Sequence, residues 1–317
     1  MLLSRSLSVA TSLVFVGFII LFSGSPASTT YAGRNGRITF VSDVSGTLQL
    51  YTINPDGSDM VQITNLPPTG YAAWWPDYSP DGRKIIFSHD MTGAPELYVI
   101  NANGSGLVQL THDNGANLFP RWSPDGTHIV FIKINDFGLG VVTTMPADGL
   151  GPETPLTDDV WDRAQAEYTP DGKQIVFQSG EGGLVSAVWI MNVNGSNRRR
   201  LTSAEIEAGG PDFSPDGKHI AFYSQQNTPR PTHVFVMNLD GTGGTQLTPN
   251  ELVSLDPTYS PDGTKIAFQG GDSLETSGNL FTMNADGSDI TKIASGLVKP
   301  ENCRNGNCLV PDWGPKP

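Results

Sequence analysis

Six positions could act together as an electrostatic site: Asp77, Arg121, Glu167, Asp212, Thr258 and Asp312. They recur at steps of 44, 46, 45, 46 and 54 residues, and each stands directly before an aromatic residue. Four carboxylates gathered at one mouth would create a negative potential that attracts cations or a basic protein segment. The competing role is structural: each carboxylate caps a neighbouring backbone group or pairs with Arg121.

Other residue types bring narrower possibilities. Trp74, Trp75 and Trp161 fall in connections, where they could anchor a partner, stack on a sugar or pack a loop. Cys303 and Cys308 flank Arg304-Asn305-Gly306-Asn307, an Asn-Gly hairpin that places them at a facing non-hydrogen-bonded pair, so a disulfide is expected. The five histidines, His89, His112, His128, His219 and His233, are scattered. His128 and His219 share one repeat position and read as solvated strand starts. Asn54–Asp59 and Asn284–Asp289 begin like calcium loops but lack the closing Glu. There is no Gly-x-Ser-x-Gly elbow. No catalytic set, metal or cofactor is expected.

These positions are held by a repeat. Ser79-Pro80-Asp81-Gly82 returns at 123–126, 169–172 (with Thr), 214–217 and 260–263, and the glycines step by 44, 46, 45 and 46 residues. Pro presets φ, Asp favours the turn and Gly accepts positive φ. An aromatic precedes each turn, and a β-type run such as Lys84-Ile85-Ile86-Phe87 follows it. About twenty residues later a second beat closes another hairpin, with glycines at 57, 104, 149, 195, 241 and 287. Each unit therefore supplies four strands.

Units of four antiparallel strands and about 45 residues are propeller blades. The expected fold is an all-β, six-bladed β-propeller over residues 33–317. The first blade starts at Asn35 without an innermost strand, and Leu309–Gly314 matches Leu118–Ser123. The C-terminal strand should therefore complete the first blade. Met145-Pro146 and a proline-rich outer hairpin suggest a ragged outer strand in the third blade. The acidic positions are expected early in each innermost strand, at the channel mouth on the face of variable loops.

The recurrent turn, an aromatic followed by Ser/Thr-Pro-Asp-Gly and written Trp122-Ser123-Pro124-Asp125-Gly126 in one copy, resembles the Trp-Ser-Pro-Asp-Gly turn of the propeller repeats of the TolB family, over roughly residues 36–314. That resemblance implies a six-bladed scaffold. By analogy it also implies contact with a protein partner in the cell envelope. The separate α/β domain that precedes the propeller in TolB itself finds no counterpart here.

A formal charge of −13 disfavours nucleic acid and anionic membrane surfaces and suits basic partners. Residues 1–32 read as a signal peptide: Arg5 is followed by an apolar core at Leu13–Phe22, and small residues allow cleavage after Ala27. A periplasmic or secreted monomer is expected, with membrane contact only through an uncleaved N-terminal segment. The function expected is protein binding. Carbohydrate or cell-wall binding is the alternative, and a propeller lyase or hydrolase is a more distant one.

Overall fold

The computed structural model describes residues 33–67, 75–158, 165–180, 185–203, 205–225, 232–273, 276, 278–299 and 309–317. Trp74, Trp161, Cys303, Cys308 and the N-terminal segment lie outside these residues.

The strands form six separate four-stranded antiparallel sheets. In five of them the strands follow chain order from the innermost to the outermost. In the first, the C-terminal strand Asp312–Pro315 pairs with Asn35–Ser42, with Ile38 opposite Trp313 and Thr39 opposite Asp312. The ring is thus closed by the chain's last strand. Closure removes the exposed edge and uncovered blade face that an open array leaves.

The second strand of each blade is apolar on both faces because both are covered. Ile85 and Phe87 pack with Val41, Leu50 and Tyr78 between the first and second blades. Ile86 points the other way and packs with Trp122, Ile129 and Phe131 of the third. The same arrangement recurs around the ring, giving one apolar cluster at each of the six blade interfaces. Each buried Phe or Ile removes enough apolar area from water to contribute about 1.5–3 kcal/mol.

Two families of turns hold the blades in register. In the inner hairpin Gly82 donates its N–H to the Ser79 carbonyl at 2.8 Å, and Lys84 donates to Ser79 Oγ at 2.9 Å. Asp81 Oδ1 accepts from Ser79 Oγ at 2.7 Å and from the Arg83 N–H at 3.1 Å. One oxygen of each turn aspartate is thus held by its own turn. In the outer hairpins glycine is required twice over. Gly195 has φ of +81°, and a Cβ there would lie 2.4 Å from the Leu156 carbonyl oxygen of the preceding blade.

The third blade corrects one expectation. Its outer strand, Thr154–Pro155, pairs with Thr143 and Thr144 and is as long as the outer strands at 61–62, 108–109, 199–200 and 245–246. Proline is tolerated there because the strand is an edge and its missing N–H would have faced away from the ladder.

Candidate functional site

The repeat brings Asp77, Arg121, Glu167, Asp212, Thr258 and Asp312 to the innermost strands, around the channel. Five of them, all but Arg121, line a cavity of about 20 Å³, room for about one water-sized group. Its wall also contains Pro170, Pro215, Ser260 and Pro261 from the inner turns. This places the ring at the turn end of the channel, not at the variable-loop mouth. The register gives the reason. Asp212 pairs with Ala221, close to the turn, whereas Glu207 at the start of the same strand pairs with Gln225 at the far end.

Three of the carboxylates stitch adjacent blades together. Asp312 Oδ2 accepts the Tyr78 N–H at 2.8 Å, Asp77 Oδ2 the Trp122 N–H at 2.7 Å, and Asp212 Oδ2 the Tyr259 N–H at 2.7 Å. Each capped N–H belongs to the aromatic of the next blade. In the third blade Arg121 takes the acidic position and reaches back, donating from Nη1 to the Pro76 carbonyl at 3.2 Å. Its Nε lies 3.9 Å from Asp77 Oδ1. In the fourth blade Glu167 is one methylene longer, and its buried Oε2 has no hydrogen-bond partner among the described residues.

Burial and crowding change the protonation of this set. Burial, and then the charges of Asp312 and Asp212, push Asp77 well above the usual carboxylate range, against the pull of Arg121. Burial and the charge of Asp212 raise Glu167 likewise. Burial moves Asp212 up to about 7, although the Tyr259 N–H opposes the shift. Asp312 is raised by burial, with Arg121 pulling the other way. The arrangement can store protons, or exchange them for an incoming positive group.

A second layer lies one step further along the channel, and sequence reading missed it. Trp75, Phe119, Gly210, Asp256 and Val310 all have positive φ, between +34° and +58°, three residues before the aromatic. A proline follows each of them: Pro76, Pro120, Pro211, Pro257 and Pro311. Proline supplies no N–H to the ladder, so the strand bulges, and the register shifts between Leu118 and Arg121, Gly209 and Asp212, and Leu255 and Thr258. The fourth blade has Ala166 in place of the proline, and its pairing is unbroken. The recurring Pro was the available signal.

Asp256 is the notable member of that layer. It is buried, its Oδ1 lies 3.5 Å from Gln165 Nε2 two blades away, and its Oδ2 has no partner among the described residues. Burial raises it to about 6. Trp75 is half-buried and lies 3.9 Å, centroid to centroid, from Phe119 within the core between the third and fourth blades. In this conformation its ring packs a loop.

Comparison with known proteins is consistent with this architecture. The sequence profile of the TolB beta propeller domain matches residues 68–183 and 167–311. The chain belongs to the TolB β-propeller family. TolB from Acinetobacter baumannii has a similar fold, with a TM-score of 0.73 at 23% identity over 90% of this chain and 68% of that one. An oligogalacturonate lyase in complex with manganese shares the fold at TM-score 0.59 and 15% identity, covering 84% of this chain and 77% of that one. Among curated relatives, an uncharacterized protein of Agrobacterium fabrum is 33% identical over 32% of this chain and 34% of its own length. An uncharacterized peptidase, YuxL, of Bacillus subtilis is 27% identical over 35% of this chain and 22% of its own length. The chain therefore spans about a third and about a fifth of the curated relatives it matches.

Proposed function

We propose that the chain is an exported, non-catalytic binding scaffold that receives a basic segment of a protein partner in the cell envelope at the turn end of its channel. The observation that carries this reading is the unpartnered carboxylate oxygen of Glu167. It is held beside Asp77, Asp212 and Asp312 at a cavity walled by inner-turn residues. Leaving such a group unpaired costs free energy, and an incoming ammonium group, close to water in size, recovers it. Family membership supports a scaffold role. The leader-like segment with Arg5 before Leu13–Phe22 supports export.

The structure changes how this should be tested. Charge reversal at Glu167 and Asp212 would bury lysines in the channel and break the cap on Tyr259, so loss of binding would be uninformative. Glu167→Gln removes the group that would ionise to pair with a cation and, among the described residues, breaks no hydrogen bond. The experiment is capture from a cell-envelope extract under mild crosslinking, followed by surface plasmon resonance on the recovered partner. Glu167→Gln should slow association, and added salt should slow the wild type more than the variant. A partner indifferent to both salt and Glu167→Gln would remove the channel from the binding site.

A further inference from the structure

A different pair of sites lies on the turn face, outside the channel. Between the third and fourth blades is a cavity of about 450 Å³ lined by Pro124, Asp125, His128, Tyr168, Pro170 and Asp171. Between the fifth and sixth is one of about 820 Å³ lined by Pro215, Asp216, His219, Tyr259, Pro261 and Asp262. Position for position these are the same residues of the repeat. Both volumes fall within the roughly 300–1,000 Å³ typical of small-molecule sites.

The pairing of His with Tyr is what singles these interfaces out. The repeat position just before the first buried Ile of each second strand, with the aromatic of the next blade, reads Arg37–Tyr78, Lys84–Trp122, His128–Tyr168, Gln174–Phe213, His219–Tyr259 and Lys265–Trp313. Histidine meets tyrosine at two interfaces only, and both hold these cavities. The turn geometry alone does not demand this, since all five Pro-Asp-Gly turns are built alike.

The polar groups of the smaller cavity are almost all acceptors. Thr127 Oγ1 donates its proton to Asp125 Oδ1 at 2.8 Å, so the His128 Nδ1 that lies 2.8 Å from Thr127 Oγ1 must carry the hydrogen. With the hydrogen on Nδ1, Nε2 is the acceptor of that tautomer. Thr144 Oγ1 donates to the Ile129 carbonyl at 3.0 Å, so Tyr168 donates its own hydroxyl proton to Thr144 at 2.8 Å and keeps a free lone pair. Asp125 Oδ1 and Asp171 Oδ1 are held by their own turns. Each of these carboxylates has its second oxygen left, that of Asp171 shared with Lys173 Nζ at 3.5 Å. In the larger cavity the Tyr259 hydroxyl has no partner among the described residues, because Val236 stands where Thr144 does.

This chemistry selects a ligand class. No lysine or arginine lines the smaller cavity among the described residues, and the Lys218 that lines the larger is paired, its Nζ 3.2 Å from Asp216 Oδ2, which disfavours phosphate, sulfate and uronate at both. No group of three or more His, Cys, Asp or Glu side chains able to hold a metal ion occurs among the described residues, which disfavours a bound cation. What remains is a set of separate acceptors around an aromatic and proline surface. That layout matches a sugar ring, with hydroxyl donors at its rim and C–H faces above and below. Two equivalent sites two blades apart further suit a chain of repeated units. We infer that the His128–Tyr168 and His219–Tyr259 grooves bind saccharide units of a neutral polysaccharide.

The test is saturation-transfer NMR on the full chain with cellotetraose, maltotetraose and chitotetraose, and with tetralysine as the competing chemistry. Transfer is expected from at least one saccharide and not from tetralysine alone. His128 is exposed and His219 half-exposed, so the double variant His128→Ala/His219→Ala should keep its melting temperature. It should weaken saccharide binding about tenfold or more, for two lost hydrogen bonds. If that variant fails to fold, Tyr168→Phe with Tyr259→Phe is read by the same criteria. No transfer from any of the three saccharides, transfer from tetralysine alone, or undiminished transfer in the double variant would each overturn the assignment. The saccharide outcomes leave the channel reading untouched, and any tetralysine transfer is assigned to the channel only if Glu167→Gln diminishes it.

Discussion

The aspartates of the inner turns and the carboxylates of the channel are one residue type in two environments. At Asp125 slight burial works to raise the carboxyl, but hydrogen bonds from Ser123 and from the Thr127 N–H and hydroxyl outweigh it and hold the group below its ordinary range. Asp81, Asp171, Asp216 and Asp262 behave the same way. In the channel, Asp77 and Asp212 accept one backbone N–H each and Glu167 none, while burial and like charges accumulate. Burial decides the outcome first and the number of donors second. A slightly buried carboxylate with several donors is part of the turn, and a deeply buried one with few is held protonated until a partner draws it into the charged form.

The strongest way to break this contrast is to open the ring that gathers the channel set. Deleting residues 309–317 removes Asp312 and the inner strand of the first blade. Loss of cooperative unfolding, or aggregation, is expected by calorimetry and light scattering. A monomer with an unchanged melting temperature would refute ring closure.

The next largest effect should come from pH. Asp77, Glu167, Asp212, Asp256 and Asp312 bind protons in the fold where the unfolded chain's carboxylates, near 3.8 for Asp, have lost them. Between about pH 4 and 7 the native state therefore holds more protons, and stability falls as pH rises through that window. The turn aspartates act in the opposite sense, and their contribution is lost below about pH 4. Thermal unfolding should show a melting temperature higher at pH 5.5 than at pH 8, then falling below pH 4. A monotonic rise from pH 4 to 8 would mean that the channel carboxylates are not held protonated.

Single substitutions sharpen the contrast further. Asp125→Ala removes three accepted hydrogen bonds and should cost about 1–2 kcal/mol in urea unfolding. Glu167→Gln, in a site where burial already favours the neutral form, should leave stability within about 0.5 kcal/mol of wild type at neutral pH, or raise it. Equal losses in the two variants would erase the distinction between the two environments.

Much of this was legible in the sequence, because the turn chemistry is local. Ser-Pro-Asp-Gly fixes a hairpin wherever it stands, and five copies in register fix the blades. The match of Leu309–Gly314 to Leu118–Ser123 revealed the closing strand for the same reason. The end of the channel at which Asp77 and its counterparts sit was not recovered. Their aromatics mark the strands, but strands such as Ala116–Trp122 extend five residues upstream of Arg121. That leaves the charged position beside the turn. The bulge layer was hidden because its side chains, Trp75, Phe119, Gly210, Asp256 and Val310, share no chemistry. Only the backbone conformation and the following proline repeat.

The central claim is that the channel carboxylates form a charge-dependent receptor for a basic segment. It is tested most directly by the association rate of the captured envelope partner at pH 6 and pH 8, for wild type and Asp212→Asn. Asp212 titrates at about 7 beside Asp77, Glu167, Asp312 and Arg121, so the wild-type channel gains negative charge between the two pH values. Wild-type association should be faster at pH 8, and the variant, which can still accept the Tyr259 N–H, should show a smaller difference. Rates equal at the two pH values, or a pH dependence unchanged in Asp212→Asn, would contradict the account.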